Sequence, residues 1–280
     1  MMAVTTMTQF GALPAVQITA PDGAQATVSL FGAHLLSWKT GDGVERLFVS
    51  AQTPLDGSKA IRGGVPVIFP QFNMRGPGLR HGFARVSTWR LAASGGDGGQ
   101  SFVELTLNQD DLAPEHAQAW PHAFELTLRY TLHSNALEAD FKVRNTGTQP
   151  FPFGVALHTY YDVGQLNATS ISGLQHQTYT DHLLQTRTQD YPALHFNEKH
   201  DRLYHATPSL MLNTASTTLN LSQQGFSEWV VWNPGQVDAA ALVDLADDEY
   251  QRFVCIEPAR IDQQPLAAGA TWTGKHRIGV

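Results

Sequence analysis

Apolar and polar residues alternate strictly over two neighbouring stretches of this chain. Phe124, Leu126, Leu128, Tyr130 and Leu132 interleave with Glu125, Thr127, Arg129 and Thr131; past Ser134-Asn135, Leu137, Ala139, Phe141 and Val143 interleave with Glu138, Asp140, Lys142 and Arg144. A repeat of two marks strands with one buried and one wet face, so the segment predicts an antiparallel hairpin. Thr27–Lys39 and Arg46–Ser50, joined through Gly41-Asp42-Gly43, predict a second pair. Further strand-like runs are Val65–Phe69, Ser87–Ala92, Phe102–Leu107, Phe153–Tyr161, Leu210–Leu212, Thr218–Leu221, Trp229–Trp232 and Phe253–Ile256. Helix signals are short: Asp110–Trp120 and Leu242–Tyr250 each have room for a turn or two. Many strands separated by turn residues imply an all-β sandwich or barrel. Gly95–Gly99 reads as a loop tip between strands. With no repeat, low-complexity tract or linker, a single domain over residues 1–280 is expected, its first 15 residues a loosely ordered segment.

Composition narrows the class. A hydrophobic fraction of 42% with 15% charged residues describes a globular chain with a large core. Cys255 is the only cysteine, which excludes an intramolecular disulfide and a Cys-based zinc site and fits a reducing compartment. The N-terminal stretch lacks the basic residues and long apolar run of a signal peptide, and nothing approaches the roughly 18–20 apolar residues of a membrane span. A soluble, cytoplasmic monomer is expected. Net charge −7 and pI ≈ 5.9 argue against nucleic acid as a partner. The charge is uneven, however. Lys59, Arg62, Arg75, Arg80, Arg85 and Arg90 fall in one acid-free segment holding a third of all Lys and Arg, which suits a small anion.

Four motifs carry candidate chemistry. Arg62-Gly63-Gly64 allows close backbone approach to a ligand beside a guanidinium fork, or is a turn with a surface Arg. Arg80-His81-Gly82-Phe83-Ala84-Arg85, preceded by Gln71-Phe72, gathers polar side chains around small and aromatic ones; Arg85 with Arg62 suits phosphate oxygens. In Phe153–Tyr161, alternation puts Gly154, Ala156 and His158 on one small-residue face, opposite Phe153, Val155 and Leu157. That face would suit a groove, or His158 is a hydrogen-bonded structural residue. Glu257 ends the apolar run Phe253–Ile256. Desolvation there would lift its pKa toward general-base range, or it faces solvent, and Pro258 is expected to stop strand pairing. No histidine spacing fits a metal site, no Gly-x-Ser-x-Gly is present, and the acidic run Asp244–Glu249 reads as a solvated turn. Cys255 reads as a core residue. Trp232 and Asn233-Pro234 read as core and turn, or as shapers of a sugar pocket.

Taken in order, Arg62-Gly-Gly-Val-Pro, His81-Gly-Phe-Ala-Arg85, Ala156-Leu-His158-Thr-Tyr-Tyr, Asp201-Arg-Leu-Tyr, Trp232-Asn-Pro, Asp247-Asp-Glu-Tyr and Cys255-Ile-Glu257-Pro resemble the glucose-6-phosphate 1-epimerase family, in the galactose-mutarotase-like group, over roughly residues 25–280. The resemblance implies a β-supersandwich with a cleft on its concave face. It also implies interconversion of the α and β anomers of hexose 6-phosphates without metal or coenzyme. By motif, His158 corresponds to a general acid and Glu257 to a general base. Arg62, Arg85 and Asp201 correspond to substrate contacts, and Gln71 and His81 join them as candidates. At Arg80 the sequence departs from the family's Gln; this residue adds a phosphate contact or points away. The rival expectations are an aldose 1-epimerase of free sugars and a non-catalytic sugar-phosphate-binding protein on the same fold.

Overall fold

Phe124–His133 and Ala136–Asn145 form the hairpin that their alternation predicts, with Leu128 opposite Phe141 and Leu132 opposite Leu137. The computed structural model, which describes residues 4–97 and 99–280, extends this pair into a nine-stranded antiparallel sheet. Its order is Ala193–His195, Ser170–Ser172, Leu210–Asn213, Thr218–Gln224, Thr271–Gly279, Ala136–Asn145, Phe124–His133, Gln100–Asn108 and Arg90–Asp97. An eight-stranded sheet runs Thr186–Thr188, Thr178–Asp181, His200–Tyr204, Glu228–Asn233, Phe253–Arg260, Val155–Leu157 and Val67–Ile68, with Tyr160–Asp162 also paired to Phe253–Arg260. A four-stranded meander joins Val4–Phe10, Leu13–Thr19, Gln25–Ser29 and His34–Lys39. Leu126, Leu128 and Tyr130 of the first sheet share one buried core with Val231, Val254 and Ile256 of the second and Val16, Val28 and Trp38 of the meander. The architecture is the all-β sandwich that the alternation implies.

Several local expectations give way to tertiary context. The start of the chain is not loose from Val4 onward, because Val4–Phe10 pairs along its whole length with Leu13–Thr19. Thr27–Lys39 is two strands with a turn at residues 30–33. Of the hairpin expected with Arg46–Ser50, only the isolated bridge Lys39–Glu45 forms. Arg46–Ser50 instead bridges Tyr161 through Leu47 and Gly63 through Val49. Strand Arg90–Asp97 runs through Gly95 and Gly96, which the sequence assigns to a loop tip; residue 98 lies outside the described residues. Leu242–Tyr250 holds only the start of a 3₁₀ turn, Glu249–Gln251, and the α-helix falls earlier, at Gly235–Ala239, where Asn233 Oδ1 accepts from the Gly235 N–H.

Pro258 does not end its strand, which continues to Arg260 with Pro258 opposite Trp229. The Ile256 N–H points to Thr159. Two residues on, the donor that Pro258 lacks would point the same way, to Leu157, which the pairing of Ala156 with Ala259 sets opposite it. The Leu157 carbonyl accepts the Thr159 N–H at 2.8 Å instead. Among the described residues, no helix is long and apolar enough to cross a membrane.

Candidate active site

Residues directly opposite one another across strands share a face of the sheet. The register of the eight-stranded sheet aligns Asp201, Trp232, Cys255 and Tyr160 in one row and Leu203, Val230 and Glu257 in the next. The intervening Val231 and Ile256 enter the core, so Asp201 and Glu257 are presented on the opposite face. His158 comes from the break between two short strands. Its N–H donates to the Pro66 carbonyl at 3.0 Å, and its ring stacks on Tyr160 with centroids 4.9 Å apart. This places His158 Nε2 3.4 Å from Glu257 Oε1. Neither Glu257 oxygen, nor His158 Nδ1, has a hydrogen-bond partner, although Glu257 is only 1% exposed.

These groups sit in a cleft of about 300 Å³, whose wall includes Lys59, Arg62, Arg80, His81, Arg85, Asp201 and Asp244. Gly63-Gly64 lets the Arg62 segment lie against its neighbours: a Cβ on Gly63 would stand 2.4 Å from Val49 Cα, and one on Gly64 2.4 Å from the Leu35 carbonyl oxygen. His34, fully buried, holds the same segment from below, with Nε2 2.7 Å from the Gly63 carbonyl oxygen. Arg62 donates through Nε and Nη2 to Asp244 Oδ1 at 3.2 and 3.1 Å, and through Nη1 to the Tyr160 hydroxyl at 3.1 Å. Two of the five guanidinium N–H groups are thus left for a ligand. Arg85 donates from Nη2 to the Arg80 carbonyl at 2.9 Å, and its buried Nε is unpartnered.

Burial and the neighbouring Asp201 carboxylate push Glu257 well above the usual carboxyl range. Burial, then His81, Arg62 and Arg85, push His158 well below the usual imidazole range. His81 falls to about 3, through burial and the charges of Arg85, Arg80 and Arg62. It is therefore neutral, and because Nδ1 accepts the Asn73 N–H at 3.3 Å, Nε2 carries its proton. Burial lowers Arg85 to about 10, which leaves it charged at neutral pH. For Arg62, burial is outweighed by Tyr160 and Asp244, and its pKa rises. Burial also raises Asp201.

Of the residues singled out in the sequence, His158, Glu257, Arg62, Arg85, Arg80, His81 and Asp201 all line this one cleft. Gln71 takes a different place. Its amide braces the loop beside the cleft, donating to the Asn73 and Gly78 carbonyls and accepting the Gly78 N–H at 2.9 Å. Trp232, Tyr160, Asp244 and Lys59 are lining residues to which sequence reasoning gave no definite role. Asp244 belongs to the acidic run expected to be solvated, where Glu249 is buried and accepts from Ser50 Oγ and the Ala51 N–H. The signal was present as an acid-free basic segment and a base-free acidic one, but their contact spans 182 residues. Cys255 is buried against Phe48, Tyr160 and Phe253. Larger hollows of about 710 and 780 Å³ lie elsewhere, around residues 187–198 and 233–238, and of the motif residues they hold only Arg202, Asn233, Pro234 and Tyr250. Among the described residues, no group of three or more His, Cys, Asp or Glu is arranged to hold a metal ion.

A family profile described as aldose 1-epimerase matches residues 14–279. A protein of Cenchrus ciliaris, provisionally named a glucose-6-phosphate 1-epimerase, is 34% identical over 264 residues, covering 89% of this chain and 79% of that protein. An Escherichia coli K12 protein of the same provisional name is 32% identical, covering 84% of this chain and 79% of its own length. Among solved structures, a protein of Salmonella typhimurium provisionally described as a mutarotase superposes with a TM-score of 0.86 at 28% identity, over 99% of this chain and 93% of that one. Galactose 1-epimerase from Lactobacillus acidophilus shares the fold, with a TM-score of 0.77 at 14% identity, over 99% and 98% of the two chains.

Proposed function

The chain belongs to the aldose 1-epimerase family, and from that premise we propose that it interconverts the α and β anomers of a hexose 6-phosphate, with His158 and Glu257 as the proton carriers. The observation that carries the reading is the 3.4 Å approach of His158 Nε2 to Glu257 Oε1 beneath a wall of guanidinium groups. Mutarotation moves two protons and no electrons. Glu257 takes the proton of the anomeric hydroxyl while His158 gives one to the ring oxygen, and the C1–O5 bond opens. The aldehyde turns about C1–C2. His158 then recovers its proton as O5 closes on the other face of C1, and Glu257 returns the other to O1. The forward and reverse reactions use the same pair, each member contributing roughly 10²–10⁴ in rate.

Charge supports the phosphorylated substrate. Lys59, Arg62, Arg80 and Arg85 line the cleft together with Asp201 and Asp244. The His158–Glu257 pair shares one proton and is neutral overall whichever member holds it. Two positive charges are left in excess, matched to a phosphate dianion. Arg62, Arg85 and Arg80 hold the phosphate end in this reading, which keeps C1 in place while the ring is open. Asp201, on the same sheet face as Glu257, accepts from sugar hydroxyls, and His81 donates through Nε2. The cytoplasm, where sugar phosphates are made and consumed, is the matching compartment. A monomer suffices, since one chain supplies both proton carriers and the guanidinium groups.

Anomer exchange measured by saturation-transfer NMR tests the proposal. The protein is expected to accelerate exchange of glucose 6-phosphate far more than that of glucose. Glu257→Gln is expected to lower kcat by about 10²–10⁴. Arg62→Ala and Arg85→Ala are expected to raise KM for the phosphate ester by at least roughly tenfold, the loss of a charge-assisted contact. Undiminished exchange in Glu257→Gln would remove its role as base. Equal effects of Arg62→Ala on both sugars would remove the phosphate assignment.

A further inference from the structure

Arg62 and His158 are held in the cleft by different kinds of contact. Hydrogen bonds fix Arg62: Nε and Nη2 donate to Asp244, and Nη1 donates to the Tyr160 hydroxyl at 3.1 Å. Among the described residues, nothing hydrogen-bonds the His158 ring at Nδ1, which is buried, while Nε2 faces Glu257. An imidazole that carries protons is ordinarily oriented through the nitrogen that does not react. Here packing sets the ring instead. Tyr160 lies nearly parallel to it, with centroids 4.9 Å apart and an interplanar angle of 12°. Trp232 and His81 meet it edge-on at 5.9 and 5.8 Å. Tyr160 is itself held by both backbone and ring. Its N–H donates to the Gly64 carbonyl, its carbonyl accepts the Phe48 N–H, and its ring packs on Phe253 and Phe48 at 5.1 and 6.4 Å. One buried side chain therefore touches the imidazole with its face and the guanidinium with its hydroxyl.

We propose that Tyr160 is a positioning residue for both ends of the site: its ring sets the plane of the His158 imidazole, its hydroxyl sets the Arg62 guanidinium, and the two groups are thereby kept at one separation. The proposal rests on the substrate reading given above. In a hexose 6-phosphate the ring oxygen and the phosphorus are joined only through C5, C6 and O6. A phosphate seat and an imidazole kept at one separation present O5 to His158 whenever the phosphate is seated. The two contacts are separable in Tyr160. Phenylalanine keeps the ring and loses the hydroxyl, and leucine loses both. In either variant Arg62 retains its two hydrogen bonds to Asp244, so the seat is loosened and not abolished.

The test measures glucose 6-phosphate anomer exchange in wild type, Tyr160→Phe and Tyr160→Leu. Tyr160→Phe is expected to raise KM roughly three- to tenfold, the effect of one hydrogen bond, with kcat within about twofold of wild type. Tyr160→Leu is expected to raise KM likewise and to lower kcat by about 10², the effect of a misplaced reacting group. Phenylalanine thus rescues kcat but not KM. A side chain needed only for folding would lower Tm in the variants without separating kcat from KM. Unchanged KM in Tyr160→Phe, or an equal fall in kcat in both variants, would overturn the proposal and leave the substrate reading intact. Should Tyr160→Leu fail to fold, Tyr160→Phe decides alone: a raised KM with kcat kept supports the proposal, and any other result rejects it. Absence of glucose 6-phosphate acceleration by the wild-type protein would instead remove the substrate reading. Calorimetric titration with inorganic phosphate then decides the role of Tyr160: weaker binding to Tyr160→Phe than to wild type supports it, and equal binding or none rejects it.

Discussion

Glu257 shows how far one residue's chemistry departs from its neighbourhood. It stands in the strand Phe253–Arg260, whose other residues up to Ala259 are also buried, and neither of its oxygens has a hydrogen-bond partner. Its carboxyl therefore holds a proton in the folded chain at a pH where the unfolded chain has released it. A carboxyl raised on folding favours the folded state at low pH, and that advantage is lost as pH rises above the unfolded value near 4.5. Glu257→Gln removes the ionisable group and should increase stability at pH 7 by about 1–2 kcal/mol in urea denaturation, with the gain shrinking toward pH 4. A variant less stable than wild type at pH 7 would contradict this account. Such a gain alongside lost turnover is what a site selected for chemistry over stability produces.

At the scale of elements, the cleft is built from interruptions. The gap at His158-Thr159, between Val155–Leu157 and Tyr160–Asp162, turns the imidazole toward Glu257, and the Thr159 N–H supplies the Leu157 carbonyl opposite Pro258 with the donor that the proline lacks. The tight segment at Gly82 has the same role for His81. Gly82 has φ +70°, and a Cβ there would stand 1.9 Å from the Phe69 carbonyl oxygen. Gly82→Ala therefore meets both a disfavoured backbone conformation and a backbone clash that no side-chain rotation relieves. We expect a loss of roughly 2–3 kcal/mol in stability, read by thermal or urea unfolding, together with a loss of activity as His81 and Arg85 shift. Wild-type stability in this variant would show that the segment can open without cost.

Across the whole molecule, pH acts mainly through buried neutral histidines. Burial lowers both His34 and His276 to about 4. His276 is held between the Tyr161 hydroxyl and the Ser222 carbonyl, deep between the sheets. A histidine lowered on folding keeps its full contribution above the unfolded value of 6.5; below that the unfolded chain binds the proton first, and stability falls until the folded value is passed. Each is expected to remove roughly 2–3 kcal/mol between pH 7 and pH 4.5. His81 and His158 act in the same direction, and Glu257 opposes them. Urea titrations across this range should show a net decline, with a shallower slope in His276→Gln. A flat profile would mean that these imidazoles reach solvent in the folded state.

Alternation by itself determined the all-β class and the central hairpin, because a repeat of two buries one face only if the chain is extended. The acid-free stretch from Lys59 to Arg90 likewise marked the cationic lining of the cleft, since charge composition needs no coordinates. Local pattern also put His158 on the small-residue side of its strand. Tertiary structure alone decided that Glu257 lies 3.4 Å from His158, because the register between distant strands sets that distance. It decided too that Asp244 serves Arg62, that Trp232 lines the cleft, and that Gln71 braces a loop. Side-chain partners drawn from opposite ends of a chain leave no mark in either segment: the contact is a property of how sheets stack, and each residue's own neighbours in sequence are silent about it.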